Sequence, residues 1–456
     1  MRFTSINPAS EDVVASFGEM DPKDVHDMVG RAYTEQKIWA QCSFEHRARI
    51  VSRLADILMR DIEVSAALIT QEMGKPIGQS RSEILKCAET CRYIAALAPT
   101  ALATEELLID GSVADITYAP LGVVVAIMPW NFPFWQFFRF AAPALMAGNG
   151  IILKHAPSTF GCAINIVEVC REAGIPDDLV QCVMIDVPQI EELIGDARVR
   201  AVTFTGSTRG GEAVAQIAGR HIKKVVLELG GNDAYIVCDD ADLGVAVDAC
   251  VVGRCLNAGQ SCIAAKRFIV HASIADEFTK RVAARFDAMV VGDPMDPATE
   301  IGPIARADLR DTLLDQLQHS MMEGARQVTK RSVNDIPKRG FYVPPVLIDN
   351  ITTQSRLFRE EVFGPVASVI AFNSDEEAVE LANDSRYGLG AAVFSQDLDR
   401  ARALAERIEC GMVAINDFVR SDMRLPFGGT RYSGYGRELG VAGVREFTNI
   451  KVIRTK

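Results

Sequence analysis

The chain has 456 residues, 48% of them hydrophobic, and a formal net charge of −12 at pH 7. That length exceeds what one hydrophobic core usually supports, so we expect two or more domains around a cleft. The acidic balance and the lack of a dense Lys/Arg run exclude nucleic acids and anionic membranes as main partners.

The first hundred residues have the pattern of helices. Ile50, Leu54, Ile57 and Leu58 fall on one helical face, and a second amphipathic pattern runs from about 80 to 97. From residue 122, short β-branched runs alternate with helical segments, and these runs are GVVVAI, GIILKHA, VQCVMI, AVTFTGS and KVVLELGG. Such alternation predicts a parallel sheet with crossover helices.

A second alternation begins near Asp233 and predicts a second α/β lobe, joined to the first near Gly230 and Gly231. Its strand-like runs are DAYIVCD, RFIVHA, ASVIAF, GAAVFS and GMVAIN. Two further strand-like segments, ADITYAP (114–120) and NIKVIRTK (449–456), lie outside both lobes and are expected to pair with each other or with another subunit. The polar stretch 330–340 is the predicted linker.

The cysteines and the N-terminus indicate the compartment. Eleven scattered cysteines form no C-x-x-C pair, and the chain has no H-E-x-x-H spacing, which predicts a reducing, cytoplasmic setting without a metal site. The N-terminal segment has no apolar core of the secretory type. The most apolar stretch, 121–153, is interrupted by prolines and charges, so we interpret it as buried core and expect no membrane association.

Four segments carry chemistry when they are considered together: PWNFP (129–133), FTGS (204–207), LELGG (227–231) and NAGQSC (257–262). Together they resemble the aldehyde dehydrogenase superfamily. The resemblance covers essentially the whole chain, because it continues through EMGKP (72–76), GDP (292–294), EEVFGPV (360–366) and PFGG…SGYGRE (426–438).

This resemblance implies an enzyme that uses NAD or NADP to oxidise an aldehyde to a carboxylic acid. The implied fold is α/β, with two Rossmann-like lobes and a small β oligomerisation arm. Residues 1–107 and 121–230 would form the NAD(P)-binding domain and 231–443 the catalytic domain. Residues 108–120 and 444–456 would form the arm of a homodimer or homotetramer.

The resemblance assigns Cys262 as the nucleophile, since a thiolate forms a tetrahedral adduct with an aldehyde more readily than water does. A lone Cys is otherwise most often a buried hydrophobe, which is our interpretation of Cys250 and Cys255. Asn131 and the Cys262 N–H are the expected oxyanion donors. Glu228, within the apolar run VVLELGG, should be desolvated, which raises its pKa and suits it to activate the hydrolytic water.

The classical G-x-G-x-x-G signature is missing after the expected strands, and Gly434 and Gly436 are interpreted as a turn. The resemblance instead assigns pyrophosphate binding to GSTRGG after the strand AVTFT, where free N–H groups at a helix start suit an anion. The expected cofactor contacts are Trp130, Lys154, Pro157, Gly206, Ser207, Gly211, Leu229, Glu361 and Phe363. NAD-preferring relatives carry a Glu at the position of Pro157, so NADP is not repelled here. His155 is interpreted as a packed neutral side chain.

Arg139 stands six residues after Pro133 in the apolar run FWQFFRFAAPAL. An Arg in such a run commonly pairs with a structural acid. In succinate-semialdehyde dehydrogenases, however, an Arg at this spacing holds the distal carboxylate of the substrate, and Ser421 matches their carboxylate contact. Leu256 replaces a second Arg of those enzymes, a charge that Arg420 or Arg424 would have to supply. The pattern most resembles the short bacterial members.

Two alternatives stay open at this point. The enzyme could oxidise another aliphatic or aromatic aldehyde, if several aromatic side chains line the tunnel, and the candidates are Phe134, Trp135, Phe137, Phe138 and Phe418. A non-enzymatic relative would have lost Cys262 or Glu228. Both residues are present, which disfavours that class.

Overall fold

The computed structural model describes residues 2–332 and 335–456, which fold around two large and mostly parallel sheets. The predicted α/β class with two lobes is confirmed. Up to residue 230 the α-helices and strands are, in chain order, β1 (Phe3–Ile6), β2 (Val13–Phe17), α1 (Pro22–Trp39), α2 (Phe44–Arg60), α3 (Ile62–Met73), α4 (Ile77–Ala101), β3 (Glu105–Ile109), β4 (Ser112–Pro120), β5 (Val123–Met128), α5 (Pro133–Met146), β6 (Gly150–His155), α6 (Phe160–Ala173), β7 (Val180–Cys182), α7 (Ile190–Gly195), β8 (Val199–Thr205), α8 (Thr208–Arg220) and β9 (Lys224–Glu228).

The remaining elements build the second lobe and return to the first. They are β10 (Ala234–Val237), α9 (Leu243–Cys255), β11 (Arg267–His271), α10 (Ala275–Ala288), α11 (Ala307–Met322), β12 (Arg326–Gln327), β13 (Val346–Asp349), α12 (Arg356–Arg359), β14 (Val366–Phe372), α13 (Asp375–Asn383), β15 (Tyr387–Gly388), β16 (Gly390–Phe394), α14 (Leu398–Arg407), β17 (Met412–Ile415), β18 (Thr430–Arg431), β19 (Gly434–Tyr435), α15 (Gly440–Glu446) and β20 (Thr448–Thr455).

Each predicted β-branched run contains a strand of one of the two large sheets. The first sheet has the order β19-β9-β8-β5-β6-β7, and its strands β5 to β9 are parallel. The chain leaves β5 in one direction for β6 and β7 and later returns to its other side with β8 and β9. Ligands of open α/β sheets bind where the strand order reverses, beyond the carboxyl ends of the strands.

The second sheet has the order β12-β13-β14-β11-β10-β16-β17, with β12 antiparallel at one edge. Strands β12 and β13 and the hairpin β1–β2 were not predicted, because their short segments lack a sustained apolar or alternating run. After β18 the chain rejoins the first lobe, where β19 pairs antiparallel with β9. The domain boundaries given above stay predictions.

The two outlying strand-like segments pair with each other. Strands β4 and β20 are antiparallel from Thr448 opposite Pro120 to Thr455 opposite Val113, and β3 joins the other side of β4. The predicted arm, which began at residue 108, therefore starts inside β3. Apolar side chains on this sheet are exposed, among them Leu108 at 82% and Ile450 at 64%.

The helical lead-in packs as its spacing predicted. Leu54 and Leu58 of α2 are fully buried, and α2 and α5 both lie against α4. Helix α4 therefore runs beside α5, the helix that follows the PWNFP segment. Within residues 2–332 and 335–456, no helix is both long and apolar enough to cross a membrane.

The predicted linker 330–340 is anchored at its start, where the Lys330 and Arg331 N–H groups donate to the Asp287 carboxylate at 3.0 and 3.1 Å. Part of this prediction, residues 333 and 334, lies outside the described residues. Beyond the linker, the Phe341 N–H donates to the Pro8 carbonyl at 2.9 Å, which fixes this stretch against the β1–β2 hairpin.

Candidate active site

A cavity of about 200 Å³ lies between the two lobes and contains Cys262 in its wall. Helices α4 and α5 form one side of this cavity. The loop around Cys262 and the segment 418–421 form the other. The geometry therefore brings together the predicted nucleophile with Arg139 and Ser421, the predicted substrate contacts.

The loop that carries Cys262 is held in a strained conformation. Asn257, Ala258 and Gly259 have φ values of 56°, 51° and 73°, in the left-handed region that disfavours residues with a Cβ. A Cβ at Gly259 would lie 2.4 Å from the Gly364 backbone, so this close approach requires glycine. The strain persists because buried groups fix the loop from both sides.

Two buried cations supply that support, and sequence reasoning missed both. The Arg254 guanidinium donates to the Gly259 carbonyl at 2.8 Å and also bonds the carbonyls of Val362 and Gly364. The Lys266 ammonium donates to the Cys262 carbonyl at 2.6 Å. Lys266 also pairs with the Glu361 carboxylate at 4.0 Å, so these two cations position Cys262 together with the segment that carries Phe363.

The Cys262 thiol is half-buried, and burial raises its pKa to about 12. The charges of Arg139 and Lys266 lower that pKa, although they do not overcome burial. Cys262 therefore rests as a thiol and must transfer its proton to a base before it attacks. Its backbone N–H has no acceptor among the described residues, as an oxyanion donor requires.

Asn131 lies against the nucleophile loop. The side-chain amide of Asn131 donates to the backbone carbonyl of Gln260 at 3.1 Å. The backbone carbonyl of Asn131 accepts from the side-chain amide of Asn257 at 2.8 Å. The amide is thus oriented by the loop that carries Cys262, and one N–H remains for a ligand. Its role as oxyanion donor stays a prediction.

Glu228, at the end of β9, is 2% exposed, and neither carboxylate oxygen has a hydrogen-bond partner among the described residues. Burial raises the pKa of this carboxyl well above its usual range, while Arg139 lowers it and Glu438 raises it further. The expected desolvation of Glu228 is therefore present. Burying a carboxyl group without a hydrogen-bond partner costs free energy unless a ligand or a water molecule bonds to it.

The interpretation of Arg139 needs a correction. Of the two partners considered from the sequence, a structural acid and the substrate carboxylate, the acid is present, because Arg139 forms an ion pair with the buried carboxylate of Glu438 and stacks on Phe427 at 4.6 Å. Arg139 is 1% exposed yet still lines the cavity, and its Nη2 has no acceptor among the described residues. The chain itself therefore supplies an anionic partner for Arg139, and a contact between Arg139 and a substrate carboxylate stays a prediction.

The other residues predicted to contact the substrate differ in their position relative to the cavity. Ser421 lines the cavity and accepts a hydrogen bond of 2.6 Å from Lys86 of α4, a residue that sequence reasoning did not single out. Arg420 lies at the cavity wall but pairs with Asp417 at 2.6 Å. Arg424 does not line the cavity, because its side chain is 70% exposed and pairs with Asp422 at 2.6 Å. The structure therefore does not bring Arg424 into the cavity wall, and its role in substrate binding stays a prediction without support from this geometry.

Most of the predicted cofactor residues lie beyond the carboxyl ends of the first sheet, and Glu361 and Phe363 approach them from the loop before β14. Lys154, the last but one residue of β6, is 9% exposed, and its ammonium has no hydrogen-bond or ion-pair partner among the described residues. The Glu361 carboxylate accepts from the Gly231 N–H at 3.0 Å. A buried ammonium without a partner and an oriented carboxylate suit the hydroxyl groups of a dinucleotide, so these residues fit the implied NAD(P).

The start of α8 and the loop before it have the small residues that allow a pyrophosphate to approach the backbone. A Cβ at Gly211 would lie 2.5 Å from Leu229, and one at Gly206 would lie 2.8 Å from Phe204. The expected free N–H groups are only partly present, since the Gly206 N–H donates to the Glu228 carbonyl and the Ser207 hydroxyl caps α8 at the Gly210 N–H. The helix start still presents its first N–H groups.

Further expectations concern residues close to the proposed cofactor contacts. Trp130 and Phe363 meet edge to face, with ring centroids 5.7 Å apart. Pro157 begins a 3-10 turn just after β6. Burial lowers the pKa of His155 to about 4, so its ring is neutral at pH 7, as interpreted from the sequence.

Comparison with known proteins decides the family. The aldehyde dehydrogenase family model matches residues 1–453. The chain belongs to the aldehyde dehydrogenase family. It is 43% identical over 449 residues to the succinate semialdehyde dehydrogenase [NAD(P)+] of Escherichia coli, covering 98% of this chain and 97% of that relative. It is 43% identical to the succinate-semialdehyde dehydrogenase [NADP(+)] of Mycobacterium leprae, covering 99% of each chain.

The structure of this aldehyde dehydrogenase also matches a solved one. The succinic semialdehyde dehydrogenase of Streptococcus pyogenes, solved in complex with NADP+, superposes with a TM-score of 0.96 at 37% identity and covers 99% of each chain. The predicted family and its oxidoreductase class are confirmed. Among the described residues, no group of three or more His, Cys, Asp or Glu side chains is arranged to hold a metal ion.

Of the five aromatic residues that were candidates for the wall of an apolar tunnel, Trp135 and Phe418 line the cavity. Phe134, Phe137 and Phe138 are fully buried in the core of the first lobe instead. Leu256 lines the cavity and is 41% exposed. The wall around the substrate thus mixes apolar rings with cations, which no single motif indicated.

Proposed function

We propose that this aldehyde dehydrogenase oxidises succinic semialdehyde to the dicarboxylic acid, with NAD or NADP as the oxidant. The observation that carries the proposal is the single cavity that contains Cys262 together with Arg139, Lys86 and Ser421. An aldehyde that bears a distal carboxylate complements a wall of this composition. The names of the relatives at 43% identity support the same substrate.

The first steps use Cys262 and Asn131. The Cys262 thiol loses its proton to a base, and its sulfur adds to the aldehyde carbon to form a thiohemiacetal. The alkoxide that develops accepts hydrogen bonds from the Cys262 N–H and the remaining Asn131 N–H. Because Lys266 and Arg254 hold the loop in advance, these donors need no reorganisation when the charge develops.

Glu228 then acts on the thioester that remains after oxidation. Its ionised form takes a proton from water, which attacks the thioester and releases the acid from Cys262. The raised pKa makes Glu228 a stronger base than an exposed carboxylate, and it places the onset of activity at higher pH than the ordinary range of a glutamate.

Lys154 and Glu361 would hold the ribose groups of NAD(P), and the cradle at Gly206, Ser207, Gly211 and Leu229 would hold its pyrophosphate. Trp130, Pro157 and Phe363 complete the proposed cofactor contacts. When bound, the nicotinamide ring supplies the hydride acceptor of the oxidation. Because Pro157 carries no charge, it does not repel the 2′-phosphate of NADP.

The proposed partner is a second copy of the chain. Strands β20 and β3 are the unpaired edges of the small sheet, and both carry exposed apolar side chains. Such edges are ordinarily covered, which favours a homodimer or homotetramer built on this arm. The eleven cysteines are all free thiols, which supports a reducing, cytoplasmic location.

A panel of aldehydes tests the proposed substrate. We expect kcat/KM for succinic semialdehyde to exceed that for butyraldehyde, which has the same four carbons without the acid, with either cofactor. A preference for butyraldehyde or for an aromatic aldehyde would favour the alternative that the apolar side chains Trp135, Phe418 and Leu256 dominate the cavity.

A further inference from the structure

Lys86 lies in the wall of the substrate cavity although no motif of the sequence includes it. Its ammonium donates to the Ser421 hydroxyl oxygen at 2.6 Å and lies 4.1 Å from the centroid of the Trp135 ring. Ser421 and Trp135 line the same cavity. The ammonium is therefore held at the cavity wall by a hydroxyl group and by the face of an aromatic ring.

The charge of Lys86 differs from those of the other cations around the cavity. Arg139 is paired with Glu438, and Arg420 is paired with Asp417. No carboxylate of residues 2–332 and 335–456 lies within ion-pair distance of Lys86. Because a half-buried ammonium without a counter-ion is costly, a ligand that brings a carboxylate is favoured at this point.

We propose that Lys86, together with Ser421, binds the distal carboxylate and is the residue that selects carboxylate-bearing aldehydes; this inference rests on the proposed function. The carboxylate accepts hydrogen bonds from the Lys86 ammonium and from the Ser421 hydroxyl. The Ser421 oxygen already accepts from Lys86, so its own proton is directed to another acceptor. Arg139, neutralised by Glu438, contributes less to the selection.

The surroundings of Lys86 make the selection sensitive to pH. Its pKa is lowered to about 8, first by burial and then by Arg139 on α5, while Cys87 and Glu83 on α4 and Asp422 near Ser421 act in the opposite direction. The charged form is therefore lost as the pH rises through about 8. Only the charged form attracts a carboxylate, so selection weakens above that pH.

The test measures kcat/KM for succinic semialdehyde and for butyraldehyde and compares their ratio between variants. We expect Lys86→Met to lower the ratio by about 30-fold or more, and Lys86→Arg to retain a larger part of it. Arg92→Met is the matched control, because it removes a cation from the same helix that faces Asp56 outside the cavity. It should leave the ratio as in the native enzyme.

The same ratio of kcat/KM values is measured in the native enzyme between about pH 7 and 10. Ionisations of the enzyme that affect both substrates equally cancel in this ratio. A decrease centred near the pKa of Lys86, abolished in Lys86→Arg, supports the inference. A flat ratio, or equal losses for both substrates in Lys86→Met, overturns it and makes Lys86 a structural residue. If the native enzyme does not prefer succinic semialdehyde at all, the proposed substrate itself fails.

Discussion

The cavity has two ends that are built differently. At the reacting end, the Glu228 carboxylate and the Cys262 N–H have no hydrogen-bond partners among the described residues, while Lys266 beside them donates to the Ser261 and Cys262 carbonyls. At the distal end, Arg139 and Arg420 each pair with a carboxylate of the chain, whereas Lys86 contacts the Ser421 hydroxyl and the Trp135 ring and has no carboxylate partner among the described residues. We interpret the charged groups that lack an ion-pair partner in the described part of the chain, Glu228 and Lys86, as the points where water and substrate bind, and the paired charges as stabilising the wall.

The largest expected effect is at the reacting end. Replacing the nucleophile in Cys262→Ala should lower kcat by at least about 10⁴-fold, because the covalent route is lost. Binding of the reduced cofactor, followed by its fluorescence, should persist. Cys42→Ala removes a thiol outside the cavity and should keep native turnover. Appreciable turnover in Cys262→Ala would remove the basis for the proposed chemistry.

Glu228→Gln should show a smaller and different loss at the same end. We expect a burst of reduced cofactor close to one per active site, followed by a steady state slower by about 10² to 10⁴-fold, because thioester hydrolysis lacks its base. Rapid-mixing absorbance measures both phases. If burst and steady state disappear together, Glu228 acts before the thioester forms, and its assignment to hydrolysis is wrong.

The two ends of the cavity also differ in how much of each could be predicted from the sequence. Strands β5 to β9 follow from β-branched runs, which record local structure, whereas Cys262, Glu228 and the cofactor residues were assigned by the resemblance of short motifs to the family. The pairing of Arg139 with Glu438 and the approach of Lys86 to Ser421 join residues about 300 apart in the chain. Such contacts depend on how α4 packs beside α5 and on the return of the chain to the first lobe, and no local pattern encodes them.

At the distal end, Arg139→Met tests whether a paired cation stabilises the wall. Removing one member of a buried ion pair leaves Glu438 uncompensated and should lower the free energy of unfolding by about 3 to 5 kcal/mol. Turnover of butyraldehyde should fall together with that of succinic semialdehyde. Urea unfolding of Arg139→Met and of the double variant Arg139→Met with Glu438→Gln measures the coupling. Native stability in the single variant, with a loss confined to succinic semialdehyde, would make Arg139 the main carboxylate contact instead.

The smallest effect is expected outside the cavity, at the cofactor edge. Pro157→Glu places a carboxylate near the proposed 2′-phosphate position and should shift the NADP to NAD ratio of kcat/KM toward NAD by about 10-fold, since like charges repel. Pro157→Gln, which has a similar size without the charge, is the control. An equal shift in both variants would mean that the loop conformation, rather than charge, determines the cofactor.

The most direct test of the central claim is to identify the acyl group on the enzyme. Glu228→Gln is mixed with NADP and succinic semialdehyde, quenched during the burst, digested and examined by mass spectrometry. The account predicts a succinyl group attached to Cys262, which joins the proposed nucleophile, base and substrate in one observation. An unmodified Cys262 in the presence of a full burst, or an acyl group on another residue, would contradict it.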